Sequence, residues 1–225
     1  MSTRGEIERD VALLLGEDST SPGGGESLWL RQAVVNATDH VARLADAYQT
    51  YYDADLAGTS ESPVTRICVP GEIYRVKAVR VTPESGDPIL LREYREIVSS
   101  GWMDRRDPYW RTDPKAGTPT VAVLVRPDLI LYPLPDWTAT DAVRVYGFAT
   151  PGEDWAGTGA VAHTDSFPLP EFCRAAVVYQ AAWLRCVQFP SKENQARAQM
   201  LAGEKDAQVG LACRDAQREY SGMGA

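Results

Sequence analysis

Histidine and cysteine are scarce in this chain, at two and four residues among 225. Nucleophilic catalysis by Ser or Cys needs a base beside the nucleophile, and His40 and His163 are the two imidazoles available for it. His40 follows Asp39 on the polar side of a helical pattern and reads as solvated surface. His163-Thr164-Asp165 lies in a loop and offers one imidazole and one carboxylate, fewer than the three protein ligands of a catalytic zinc. No metal, no cofactor and no catalytic residue is expected. The cysteines, Cys68, Cys173, Cys186 and Cys213, show no CxxC spacing and are expected to be reduced, buried and apolar in role. A GxxxxGK[ST] loop and a strand-linked GxGxxG are both missing; Gly23-Gly24-Gly25 follows Ser-Pro and reads as a linker. No apolar run approaches the roughly 18 to 20 residues of a membrane span, and the first ten residues lack the apolar core of a signal peptide. The expectation is therefore a soluble chain made in a cytoplasm, with no membrane partner.

Basic charge is also in deficit, with a formal net charge of −8. Grip on a nucleic-acid backbone comes from Lys and Arg neutralising phosphates, so a DNA-clamping function is disfavoured. Such a balance still suits a wall past which a duplex slides. Hydrophobic residues at 44% and charged residues at 24% are ordinary globular usage, and the length is sufficient to bury a core without staples.

Residues 3–15 place Ile7, Val11, Leu14 and Leu15 at helical spacing, predicting a short amphipathic helix, followed by a polar, Gly-rich linker over 17–26 that frees it to dock away from the next helix. A second helix is predicted from Ser27, with the serine as N-cap. Its seam of Leu30, Val34, Ala37, Val41, Leu44, Tyr48 and Tyr51 implies about 25 residues, roughly 37 Å long, as one member of an intramolecular bundle. Arg31, Asp39, Arg43 and Asp46 fall on other faces.

Over 65–148 the pattern turns to β. Segments 75–81, 120–126, 129–132 and 142–148 are short, rich in Val, Ile, Leu and Tyr, and bounded by Pro, Gly or Asp. Arg126-Pro127-Asp128 predicts a turn, making 121–125 and 129–132 a hairpin. Residues 91–99 read as a short helix closed by Gly101, and 104–119 as an irregular excursion. Without a βαβ rhythm, an antiparallel sheet or small barrel is expected.

After a loop over 151–165, Pro168 and Pro170 mark the entrance of a helix with a seam of Phe172, Ala176, Tyr179, Trp183 and Cys186. Ala175, Val177, Val178, Ala181, Ala182 and Leu184 make it apolar nearly all round, as in a bundle centre. Pro190 ends it, Ser191 caps the next helix, and Glu193 lies in that helix's first turn. This last helix is predicted to run to about Tyr220, with a stripe of Ala196, Met200, Gly203, Ala207 and Gly210. Two interior glycines cost it roughly 1 kcal/mol each, which a closely approaching neighbour has to offset.

The resulting expectation is an α+β chain, a bundle of N- and C-terminal helices with an inserted antiparallel sheet or small β-barrel. Its parts are a helix at 1–16, a linker at 17–26, a bundle from 27–64 and 166–220, a β module at 65–150, a loop at 151–165 and a tail at 221–225.

Four strings, in order, resemble the head-to-tail adaptor (connector) proteins of tailed bacteriophages. VPGEIYRVKAVRV at 69–81 is similar to the strand, Pro turn and strand that open that family's β region. PILLRE at 88–93 looks like the entry to its short internal helix, and LILYPLP at 129–135 like its strand ending in an aromatic and prolines. FPLPEF at 167–172, leading into AAVVYQAAWL at 175–184, resembles the start of its C-terminal hairpin. The match spans about residues 27–220 and departs from the pattern near 104–119 and 153–165.

What the resemblance implies is a virion structural protein without cofactor or active site. It would form a ring of about twelve copies in the neck, between the capsid portal and a tail nozzle or tail-completion protein, with genomic DNA passing through without sequence-specific binding. Heterologous self-contact is then required. The candidate subunit and portal interface is Met200, Gly203, Ala207, Gly210, Arg214, Arg218 and Tyr220; the C-terminal segment either orders on the portal or frays. Trp102, Tyr109 and Trp110 are candidate tail-side anchors, or else cover an edge of the sheet. Two other classes stand beside this reading: a tail-completion or stopper protein of the neck, and a virion-associated hydrolase whose paired carboxylates only three-dimensional separation would reveal.

Overall fold

The computed structural model describes residues 2–17, 26–56, 66–83, 86–112, 115–137, 139–151 and 166–221. The fold is α+β: N-terminal and C-terminal helices pack together, and two four-stranded sheets are inserted between them in the chain. It divides into two compact units, Met1–Tyr48 with Ala149–Ala225, and Gln49–Phe148.

The helical unit opens with α1 (Arg4–Leu15). Thr3 caps it, its side chain accepting the Glu6 N–H while the Glu6 carboxylate accepts the Thr3 N–H, a reciprocal arrangement that satisfies two otherwise unpaired donors. Ile7, Val11 and Leu15 are buried as the spacing predicts, whereas Leu14 is exposed. The same buried face carries a fully buried Arg4, paired with Glu8 at 3.3 Å. Polar links tie α1 to the C-terminal part of the chain: Arg174 to Asp10 at 2.5 Å and the Ser2 hydroxyl to Glu171 at 2.7 Å.

Helix α2 (Glu26–Ala45) is shorter than its seam suggested. Leu30, Val34, Ala37 and Val41 are buried, but Asp46 takes a left-handed φ of 49° and stops the helix. Tyr51 lies beyond it on a strand, and Ser27 falls in the first turn. Leu44 is also exposed, while Tyr48, just past the helix, still packs against the helical core, so the expected seam fails at Leu44 and Tyr51.

A 3-10 turn at Glu171–Cys173 leads into α4 (Arg174–Gln188), which packs against α1, α2 and the last helix, α5 (Lys192–Ser221). Ala176, Val177, Ala181 and Ala182 are fully buried, and their small side chains let three helices approach one axis. The all-round apolar character read from sequence belongs to this central helix. Ser191 accepts the Asn194 N–H at 3.0 Å, confirming the predicted cap of α5.

In the β module, one sheet has the order β1-β8-β3-β4 and the other β2-β7-β6-β5. The first contains β1 (Gln49–Leu56), β3 (Ile73–Val81), β4 (Ile89–Arg92) and β8 (Ala139–Ala149); the second β2 (Arg66–Cys68), β5 (Ile97–Ser99), β6 (Val121–Val125) and β7 (Asp128–Tyr132). The predicted hairpin is present, with Val123 opposite Ile130 across the Arg126-Pro127 turn. One pairing, β5 with β6, is parallel, against the all-antiparallel expectation.

Residues 91–99 are not a helix. They form the end of β4, a turn and β5, and the helix that follows, α3 (Ser100–Arg106), takes Ser99 as its N-cap and contains Gly101. Tyr94 at the turn has φ 65°, a conformation that interrupts a helix. Gly147 in β8 allows close approach to β3: a Cβ there would lie 2.5 Å from Ile73 Cγ2 and 2.7 Å from the Arg75 carbonyl oxygen.

Candidate functional site

Two surfaces carry the residues singled out by the sequence, and a third gathers charged residues that the sequence did not single out. The first is the outer face of α5. Ala212 and Ala216 point inward and are buried, with Leu201 and Val209 packed beside them. Ala196, Met200, Gly203, Ala207 and Gly210 lie opposite and are exposed, Met200 to 71%. A Cβ on Gly203 or Gly210 would meet nothing within 4 Å. Neither glycine is therefore required by packing among the described residues of the helical unit. Arg214 and Arg218 continue the same face and are exposed; Tyr220 lies on α5, with its side chain outside the described residues.

Helix α3 and the turn after it form the second surface, and they separate the three aromatics. Trp110 is 2% exposed and belongs to a small core with Met103, Val123, Ile130 and Tyr132. The expectation of a mobile anchor is corrected there, since the ring buries its area and its Nε1–H is taken by Asp104 at 2.8 Å. Trp102 is half-buried against that core under the Arg106 guanidinium, 4.9 Å from its ring centre. Tyr109 is 69% exposed. The excursion is held rather than loose. Asp107 accepts the Tyr132 hydroxyl at 2.5 Å, and this bond first, with Lys115 adding to it, holds the carboxyl below its ordinary range.

Beside Trp110 a cavity of about 160 Å³ opens, floored by Ile130, Tyr132 and Leu134 and rimmed by Arg66, Arg111 and Asp128. No protein-family model matches the sequence, and no curated protein matches it. Function therefore has to be read from these surfaces.

The third surface lies on the first sheet, where Arg144 bridges β8 to β1. It contacts both Asp53 carboxylate oxygens, at 2.6 and 2.8 Å, and sits 4.4 Å above the Tyr51 ring. This bidentate contact is the main cause of a lowered Asp53 pKa. On β3, Arg75 binds Glu93 at 2.7 Å and the Tyr94 hydroxyl at 2.7 Å. Each guanidinium is thus matched by a carboxylate, and the surface reads as a cross-strand clamp rather than an anion site.

The remaining candidates for chemistry are dispersed. His40 is on the exposed side of α2, where partial desolvation of the ring by its neighbours, and then the Lys205 charge, lower its pKa. His163 lies outside the described residues. Cys173 and Cys186 are buried as expected, burial pushing the Cys173 thiol up to about 12, while Cys68 is exposed on the short strand β2. Among the described residues no group of three or more His, Cys, Asp or Glu could hold a metal ion, and no helix is long and apolar enough to cross a membrane. A recess of about 410 Å³ brings Asp87, Asp136 and Trp137 together. The buried Arg4–Glu8 pair left no signal in sequence, because charged residues at i and i+4 ordinarily mark a solvated face.

Proposed function

We propose that this chain is a ring-forming adaptor of the tailed-phage neck, joining the capsid portal to the tail and lining the DNA passage, and that it is not an enzyme. The observation carrying this reading is the outer face of α5. Thirty residues of helix span about 45 Å, and over its middle turns an apolar, small-residue stripe is exposed, with two glycines that packing among the described residues does not use. Glycine in a helix interior costs about 1 kcal/mol relative to alanine, so a neighbour's close approach supplies its purpose. The ordered resemblance over residues 27–220 supplies the location in the virion, and the net charge of −8 suits a lumen that does not hold phosphate. Partners on this reading are further copies of the chain, about twelve in a closed heterologous ring, the portal, and a tail nozzle or tail-completion protein.

Electron microscopy of the purified chain, alone and mixed with portal assemblies of the same phage, tests it. Closed rings are expected, free or seated on portals. A chain that stays single at every concentration and beside portals would remove the reading. Within this experiment Gly203→Leu separates fold from assembly. An added Cβ meets nothing within 4 Å among the described residues, and leucine improves helix propensity by up to about 1 kcal/mol, so thermal unfolding should hold or rise while ring yield falls. Ring yield equal to the unmodified chain would exclude this face as the contact.

A further inference from the structure

Arg66 and Arg111 stand at the rim of the Trp110 cavity with side chains 67% and 54% exposed. Their carboxylate partners are distant for charge-assisted bonds: Asp128 is 3.6 Å from Arg66 and Asp104 is 3.4 Å from Arg111, against the usual 2.7–2.9 Å or so. Each guanidinium retains hydrogen-bonding capacity toward another acid. The floor between them is apolar, and the volume suits a single unbranched apolar side chain. A ligand for this site therefore pairs one such side chain with a neighbouring carboxylate.

Charge is divided unevenly between the two units. The helical unit has 11 Lys and Arg against 17 Asp and Glu, while the β module has 12 against 14. On α5, Met200 is the most exposed large apolar side chain, and Glu204 follows it by one turn with no ion pair among the described residues. Methionine is unbranched and adapts to irregular cavities. Gly203 and Ala207 beside it leave room for the rim of a neighbouring surface.

We propose that Met200 of one copy inserts into the Trp110 cavity of the next, with Glu204 meeting Arg111 at the rim. This rests on the ring reading and names its contact. The knob belongs to the helical unit and the cavity to the β module, so each copy offers one of each, and a contact repeated in one direction from copy to copy is the heterologous kind that propagates around a ring. The attraction between the acidic helical unit and the two rim arginines sets which surface meets which.

Native Cys68 provides the test. It is exposed, lies two residues from Arg66 on β2, and sits opposite Asp128 at the cavity rim. Met200→Cys treated with a short bismaleimide should give a ladder of covalent oligomers, abolished by Cys68→Ser. Met200→Asp, at a solvent-facing position, should leave thermal unfolding unchanged and weaken association at least tenfold. Glu204→Arg should weaken it likewise, and adding Arg111→Glu to the same chain should restore part of the loss. Rings in the unmodified chain with no Cys68-dependent cross-link, or with Met200→Asp associating within twofold of normal, would overturn this contact and leave the ring standing. A Cys68-dependent cross-link in a chain that never closes rings would keep the contact and remove the ring. Absence of both would end both.

Discussion

Gly147→Val is expected to destabilise the β module by about 3 kcal/mol or more, at the upper end of overpacking penalties. The new Cβ would stand 2.5 Å from Ile73 Cγ2 and 2.7 Å from the Arg75 carbonyl oxygen. Ile73 is buried and β-branched, so its side chain has few alternative rotamers. The carbonyl is main chain, three residues into β3, and withdraws only if the strand moves away from β8. For a module of a hundred residues, each kcal/mol lowers the midpoint by roughly 4–8 °C, so a loss on the order of 10–20 °C is expected by circular dichroism. Gly71→Ala, where a Cβ meets nothing within 4 Å, is the control and should shift little. Equal midpoints for the two variants would show that β3 and β8 are not so closely apposed.

Trp110→Ala should cost about 3–5 kcal/mol, as expected for emptying a buried tryptophan site. The ring is 2% exposed among Met103, Val123, Ile130 and Tyr132, and its removal also leaves the Asp104 carboxylate without the indole donor at 2.8 Å. Trp110→Phe keeps most of the apolar area and loses the hydrogen bond, a smaller loss of about 1–2 kcal/mol. Tyr109→Ala, one residue earlier and 69% exposed, should stay within about 0.5 kcal/mol. Urea unfolding of the three variants checks the order. A Tyr109→Ala loss as large as that of Trp110→Ala would contradict the burial that divides these neighbours.

These variants bear on the proposed adaptor in different ways. Gly147 and Trp110 hold the β module together, so their loss would lower assembly by unfolding. Gly203 and Met200 stand in solvent on α5, so their substitution should lower assembly with the fold intact. That contrast is the sharpest discriminator between an interface on α5 and a general loss of stability. The hydrolase alternative has its nearest counterpart in the recess containing Asp87, Asp136 and Trp137.

Local pattern was sufficient wherever an element's period and its stop signals agreed. The hairpin of β6 and β7 has apolar runs on either side of Arg-Pro-Asp, and α5 has Pro190 and Ser191 before it. Helix α4 showed its central position in advance, because apolar residues on every face need protein on every side. Where period and context diverged, the pattern misled. Tyr48 and Tyr51 continue the spacing of α2, yet Asp46 ends the helix and Tyr51 joins β1 opposite Tyr146. Residues 91–99 have helix-compatible composition, but β4 pairs with β3 and β5 with β6, and those partners are distant in sequence.

From residue order alone came the α+β class, the two helical ends around a β insertion, and the small-residue stripe of α5, since each depends on periodicity and punctuation within one segment. Tertiary packing alone settled that Arg4 is buried beside Glu8, that Trp110 is core while Tyr109 is surface, and that Arg66 and Arg111 share the rim of one cavity with Trp110. Burial and juxtaposition arise from segments far apart in the chain, and no local spacing encodes which of them will meet.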